Sequence, residues 1–464
     1  MDRVGILVIS KCLSSSAIIG TFMRSDRYKP EFYVAERQVN PFNFERAKVH
    51  QVIPDLNINE ITKFVSRHKE QIAFGLTDTE DFVTAGGRDI VEKETGVPMI
   101  CVTKKYAIER SKADQRLLFD EILPEANPRY AILDPSQYHS NEAAIADLRK
   151  IAGELGEIVI KPDAPARGAG VGVWGSDFRT EDEMVKFFLN VYSKGRVVVE
   201  EKIEGEESSF QAFSDGRDLF VAPLTRDYKR ALDDNKGRLT GGMGSYRDSS
   251  YSLPMLLPSE WEKVVHAEQV AFNRWKERGS NPDLRGIILY DALMHTGSGF
   301  KILERNSRGG NTEQINILTT LEDDFIDVCY HIIDGALRSI KFSKNASVVT
   351  CAVPLAYGTS TSSYAHERIN LKNAYELEKK YDGKLRVFPM DVRSENGSVH
   401  VGTSRSVAVV GIGSSIEDAR EISLLGIRAL DGPLRYRTDI ASRLDIQRSS
   451  DHLSSLRMMQ TTAS

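Results

Sequence analysis

The sequence predicts an α/β protein that opens on a Rossmann-like parallel sheet. Two observations carry this expectation. Four short apolar runs, "VGILVIS" (4–10), "PEFYVAE" (30–36), "KVHQVIP" (48–54) and "PMICVT" (98–103), have strand length and strand composition. Helical stretches separate them: "SSSAIIGTFMRS" (14–25), and "NINEITKFVSRHKE" (57–70) with Ile58, Ile61, Phe64 and Val65 on one face. Strands alternating with helices build parallel sheets.

Further along, "EIVIKPD" (157–163) reads as a strand ending in Lys161. A glycine-rich turn follows, then a helix from Thr180 with Glu183 completing a capping box. The run "RVVVEEKIEGEESSFQAFSDG" (196–216) alternates as β structure. A helix is expected over 259–278, and "GIILYDALMHTGSGFKILERN" (286–306) reads as a hairpin. "VVTCAVPLA" (348–356) and "SVAVVGIG" (406–413) are strands, and a helix begins after Ser415 with Asp418 in capping position. The end, "SRLDIQRSSDHLSSLRMMQTTAS" (442–464), is polar and reads as a partly disordered tail.

A chain of 464 residues has room for about two to four domains. Its 41% hydrophobic and 27% charged residues suit globular cores rather than a disordered chain. A net charge of -5 gives no global attraction for nucleic acid or an anionic membrane. Cys12, Cys101, Cys329 and Cys351 form no CxxC pair, which argues against zinc or a disulfide framework; three of them sit in apolar surroundings and read as buried reduced thiols. No run approaches the ~18 apolar residues of a membrane span, and no signal peptide is evident, so a cytoplasmic enzyme is expected.

Four stretches could carry chemistry. In "KPDAPARGAGVGV" (161–173), Gly168 and Gly170 would let backbone N–H groups approach an anion beside Lys161, or would simply make a tight turn. In "VVVEEKIEGEES" (197–208) the doubled glutamate, Glu200–Glu201, is a solvated strand exit or a hinge that reads an adenine edge. In "LERNSRGGNTEQ" (303–314), Glu304 and Asn306 lie two apart and share a strand face, a donor set that suits Mg²⁺. Asp291, on the preceding strand of the hairpin, could face the same point, and Arg308 could reach an anion beside it. A cross-strand charge network is the alternative. Lastly, "KRALDDNKGRLTGGMGSY" (229–246) places Lys229 and Arg230 before a glycine run that wraps a ligand or forms a mobile surface loop. The histidines show no metal spacing, and no G-x-S-x-G elbow is present.

Taken in order, "ERSKADQRLL", "VIKPDAPARGAGVGV", "VVVEEKIEGEES", "SDG", "DYKRALDDNKGRLTGGMGSY", "LYDALM", "LERNSRGGNTE" and "LRYRTDIASR" resemble the phosphoribosylamine–glycine ligase family of the ATP-grasp superfamily. The resemblance runs from about 75 to 443. It implies a pre-ATP-grasp domain (1–105), an ATP-grasp lid and linker (106–195), the ATP-grasp main domain (196–342), a small α/β C-terminal domain (343–445) and a polar tail (446–464). It implies ATP between lid and main domain, with Mg²⁺ or Mn²⁺. Lys112 and Lys161 would contact phosphates, helped by Gly168 and Gly170. Glu200, Glu201 and Ile203 would hold the adenine, and Glu206 or Glu207 the ribose. Glu304, Asn306 and Asp291 would be metal ligands. Arg308, Lys229 and Arg230 would act on the transferring groups. Asp227, Thr240, Gly241, Gly242 and Gly244 would enclose the substrate. The implied reaction is ligation of a carboxylate to an amine through an acyl phosphate, joining glycine to 5-phosphoribosylamine in purine biosynthesis. The partners would be small molecules, with neither nucleic acid nor membrane, and the chain would be a monomer or homodimer.

Departures from the family cluster on the substrate side. Its Gly-Gly-Arg-Glu-His turn is "ISKCLSSSAIIG" (9–20) here, and its Gly-Pro-Glu stretch is "GLTDTED" (75–81). The phosphate-loop lysine is Ala169, with Arg167 two positions earlier. Gln-Asp-His-Lys-Arg is "RDYKR" (226–230), Pro-Asn is Arg238-Leu239, and Asp-Pro-Glu is Asn311-Thr312-Glu313. A ligase with another carboxylate and amine, or a non-catalytic nucleotide binder, are the alternatives. Retention of Lys112, Lys161, Glu304, Asn306 and Arg308 argues against the second.

Overall fold

The computed structural model describes residues 1–164, 170–276, 282–358 and 367–463. The N-terminal sheet is parallel, as the alternation requires. Its strands are β1 (Asp2–Ser10), β2 (Tyr28–Glu36), β3 (Ala47–Val52) and β4 (Phe74–Thr77), in the order β3-β2-β1-β4. β1 is buried from Val4 to Ser10 because helices cover both its faces. Two expectations shift here. "PMICVT" is no strand: Met99 makes one parallel bridge to Gly75 before the chain turns away. The fourth strand is instead the short "FGLT", a four-residue run containing a glycine, which carries little β signal.

The next sheet comprises β5 (Tyr130–Leu133), β6 (Ile158–Pro162), β7 (Gly172–Val173) and β8 (Val197–Glu201), ordered β5-β8-β6-β7. It has its own core, in which Leu148, Ile160, Phe188 and Val199 pack together. The capping box at Thr180 and Glu183 is formed at the start of the helix Glu181–Tyr192. β8 bonds to both β5 and β6, so this unit runs past 195 and ends between 202 and 205.

Downstream come β9 (Glu206–Asp215), β10 (Leu219–Val221), β11 (Arg226–Asp227), β12 (Arg230–Leu232), β13 (Lys236–Leu239) and β14 (Gly244–Arg247). β15 (Arg285–His295) and β16 (Phe300–Asn306) form the expected hairpin, and the sheet runs β10-β9-β15-β16. β17 (Ala346–Pro354) follows. Then come β18 (Arg368–Ile369), β19 (Leu385–Pro389), β20 (Val392–Glu395), β21 (Ser398–Val401), β22 (Val407–Gly413) and β23 (Leu434–Arg435). The main C-terminal sheet runs β11-β14-β17-β22-β19, so strands from both sides of residue 343 share one sheet.

The chain end is ordered. Residues Arg443–Ala463 form a helix that buries Leu453 and packs Ile446 and Leu456 on the main core. Its polar composition reflects ion pairs with the body, such as Arg457 to Glu260 at 2.6 Å, rather than disorder. All four cysteines are buried and free. Among the described residues no helix is long and apolar enough to cross a membrane. Thr180→Ala removes the cap bond to the Glu183 N–H and should destabilise the lid by about 1 kcal/mol, read as a lower urea midpoint of its unfolding.

Candidate active site

A cavity of about 750 Å³ lies between the lid sheet, the β9–β16 sheet and the substrate-side loop. One wall is set by the register of the β15–β16 hairpin. Tyr290 faces Asn306, Asp291 faces Arg305, and Ala292 faces Glu304. Directly opposed residues share a sheet face, and successive residues alternate. Glu304, Asn306, Tyr290 and Ala292 therefore line the cavity. Asp291 and Arg305 point to the other side.

That geometry overturns the expectation of Asp291 as a metal ligand. Its carboxylate accepts from Arg305 at 2.9 Å and 2.6 Å, and Arg305 also reaches Glu268 at 2.7 Å. All three side chains are 0% exposed. The guanidinium also lies over the rings of Phe119 and Trp275. Burial, and then the charge of Asp291, push Glu268 well above the usual carboxylate range.

Lys112 begins the helix Lys112–Ile122, and Lys161 lies on β6; both line the cavity. Lys161 Nζ is 2.6 Å from Glu200 and donates to the Leu303 carbonyl at 3.2 Å. Arg116 completes the group at 3.3 Å from Glu200. Burial pulls Lys161 down while Glu200 pulls it back up. The Glu200 side chain is thus committed to positioning cations, and Glu201 is tied to Arg129 at 2.6 Å. Residues 200–203 line the lid side of the cavity, as an adenine hinge would. Burial raises Glu304, but Lys112, Lys229 and Lys161 outweigh it and keep the carboxylate ionised. Gly170 takes the left-handed φ of 84° just before β7, while Gly168 lies outside the described residues.

On the substrate side, Lys229 pairs with Glu207 at 2.9 Å. Thr240 donates its hydroxyl and its N–H to the Lys229 carbonyl, closing the loop onto its own stem. The glycines that follow are required by close approach. The Arg405 guanidinium lies flat on Gly241 and donates to its carbonyl; a Cβ there would sit 2.9 Å from a guanidinium nitrogen. Gly242, at φ 102°, would push a Cβ to 2.7 Å from Asp227. Gly244 starts β14 against the Val349 carbonyl with no room for a side chain. The Arg230 guanidinium braces its own β12–β13 hairpin through the Gly237 carbonyl at 3.0 Å.

Four contributors escaped the sequence reading. Glu313 accepts from Tyr290 at 2.6 Å and Ser209 at 3.2 Å, and Thr312 bridges it to Asp227. Burial and the neighbouring Glu313 push Asp227 up to about 8. Glu109 holds Arg308 at 3.3 Å, with Glu80 at 3.4 Å on the other side. Tyr290 follows from the alternation that exposes Asn306. Glu109 and Arg405 had no local signal, because distant chain segments bring them in. The turn after β1 offers its donors to an internal anion. The N–H groups of Lys11, Leu13, Ser14 and Ser15 and the Ser10 hydroxyl all donate to Asp78, at 2.9–3.2 Å.

Asp291→Asn leaves Arg305 with a weakened buried partner and should cost about 3–5 kcal/mol in chemical denaturation; a metal-ligand role would have left stability nearly unchanged. Asp227 titrates above its ordinary range, so its contribution to stability is present at low pH and is lost as pH rises through about 8. The melting temperature of the ligand-free protein should fall as pH rises from 3.8, the ordinary value for this carboxyl, to about 8 and level off above it, and Asp227→Asn should flatten the fall.

Comparison with known proteins agrees with this geometry. The family described as phosphoribosylglycinamide synthetase, ATP-grasp (A) domain, matches residues 128–314. The phosphoribosylamine–glycine ligase of Pyrococcus furiosus is 30% identical over 430 residues, covering 92% of each chain. That of Methanocella arvoryzae is 29% identical, covering 97% of this chain and 99% of its own. The crystal structure of the Thermotoga maritima phosphoribosylamine–glycine ligase superposes with a TM-score of 0.73 at 21% identity, covering 94% of this chain and all of that one. The arrangement is therefore an ATP-grasp fold, and the chain belongs to the phosphoribosylamine–glycine ligase family.

Proposed function

We propose that this protein uses ATP to join the carboxylate of glycine to the amino group of 5-phosphoribosylamine. The observation that carries this reading is the division of charge in one cavity. Lys112, Lys161 and Lys229 converge on Glu304 at the lid end, and the acidic pair Asp227–Glu313 lies beyond them.

The two ends suit the two halves of the reaction. A carboxylate attacking a phosphoryl group brings like charges together, and fixed cations lower that cost. Lys112 and Lys161 bind and orient the phosphates. Lys229 stands where charge grows as the acyl phosphate forms. Arg308, held charged by Glu109 and Glu80 against the cost of burial, orients the reacting carboxylate. An amine arriving as an ammonium finds Asp227 and Glu313, which hold it and take up its proton before it attacks the acyl carbon. The loop 240–244, packed under Arg405, keeps water from the acyl phosphate.

The residues present fit a divalent cation. Glu304 offers carboxylate oxygens, and Asn306, two residues on along the same cavity-facing strand, offers its amide oxygen Oδ1. Among the described residues no cluster of three His, Cys, Asp or Glu side chains could cage a metal alone. One carboxylate and one amide suit Mg²⁺, which keeps phosphate and water oxygens in its shell. When bound, it would neutralise charge on the transferring phosphoryl group.

The test is ADP release by purified protein with ATP, Mg²⁺, glycine and freshly made phosphoribosylamine. Release that needs both substrates is expected; turnover on a different acid–amine pair alone would overturn the assignment. Glu304→Gln should abolish turnover with an unchanged melting profile, and an active, folded Glu304→Gln protein would remove the metal assignment.

A further inference from the structure

The helix Arg443–Ala463 meets the cavity lining at Glu206, and it grips the segment 226–229 that carries two of the cavity's charged side chains. In Arg226–Asp227–Tyr228–Lys229 the side chains alternate. Asp227 and Lys229 reach the cavity groups Glu313 and Glu207. Arg226 and Tyr228 reach the other way. The Tyr228 hydroxyl donates to Asp445 at 2.6 Å and accepts the Ala441 N–H at 2.9 Å. Arg226 pairs with Glu206 at 2.7 Å, and Glu206 is bound to His452 at 2.7 Å on the next turns of the same helix.

The segment before the helix repeats the pattern along the loop. Arg437 donates to the Arg230 carbonyl at 3.0 Å and lies over the Tyr228 ring. Thr438 donates to Asp233 at 2.6 Å, and the Asp234 N–H donates to Asp439 at 2.9 Å.

Building on the ligase reading of the cavity, we infer that the C-terminal helix is the backing that sets the aim of Asp227 and Lys229. Tyr228 and Asp445 are its positioning residues. Neither touches a reacting atom. They act by denying residues 226–229 the rotation that would turn Asp227 and Lys229 out of the cavity. The tyrosine at 228 makes this possible, because its hydroxyl spans the distance to the helix while its ring stays packed.

The experiment compares Asp445→Asn and Tyr228→Phe with the wild-type full chain by hydrogen exchange without ligands. The amides of Tyr228, Thr240 and Met243 bond to the Gly244, Lys229 and Tyr228 carbonyls and report the loop directly. Each variant should speed exchange over 227–247 by about tenfold while leaving residues 1–77 unchanged, as expected for a local opening. The double variant should add nothing to either single one. In turnover, the KM for phosphoribosylamine should rise by about tenfold, because Asp227 holds the amine, and kcat should fall by about tenfold with the lost aim of Lys229. Unchanged exchange over 227–247, or equal acceleration across the whole chain, overturns the inference. Exchange needs no substrate, so failure of the glycine assay in the wild type would count against the ligase reading alone. Tyr228→Phe keeps the ring packed and serves where Asp445→Asn folds poorly.

Discussion

The site depends on the ion group Glu268–Arg305–Asp291, buried behind the wall that faces the cavity. A β-strand cannot present Glu304 and Asn306 to one side without presenting Arg305 to the other. A guanidinium sealed from water costs several kcal/mol unless its charge and its donors are met. Asp291 meets the charge through three hydrogen bonds from Nε and Nη2, Glu268 takes a fourth, two aromatic rings cover the plane, and Nη1 finds no partner among the described residues. A one-residue slip of β16 would bring Arg305 into the cavity and bury Glu304 among aromatic rings. The register is therefore tied to this buried ion group, and the position of Glu304 and Asn306 on the cavity face follows from it.

On the front of that wall the charges are graded. Three lysines keep Glu304 ionised. At the far end Asp227 is pushed up because Glu313 adds to the effect of burial. Two acids with opposite protonation tendencies in one cavity allow one to stay with a cation and phosphate while the other exchanges a proton with an amine.

Much of this was legible in the sequence, and the reasons are specific. Periodicity exposed β1, β2, the capping box and the hairpin, because each has a local signature. Motif order gave the family and the cavity cations Lys112, Lys161 and Lys229. Asp291 was misplaced because the choice of face depends on register: spacing within one strand fixes relative faces, but pairing decides which residue opposes which. Arg405 and Glu109 were missed because they enter from segments far along the chain. The tail read as disordered because its polar residues find their partners only in the folded body. The 240–246 end of the glycine loop proves closely packed, while 232–238 stays largely exposed. Its glycines are spaces occupied by Arg405, Asp227 and the β17 backbone.

The sheet order adds a mechanical asymmetry. β14, which ends the glycine loop, is laddered to β17 over four residue pairs and through it to β22 and β19. Among the described residues the lid sheet shares no ladder with any other sheet, and it has its own core. Parting the lid from the body breaks side-chain contacts such as Lys161 to the Leu303 carbonyl, whereas displacing the opposite wall would tear a sheet. One wall of the cavity thus rests on the body through side-chain contacts such as Lys161 to Leu303, and the other is continuous with a sheet cast once, at folding.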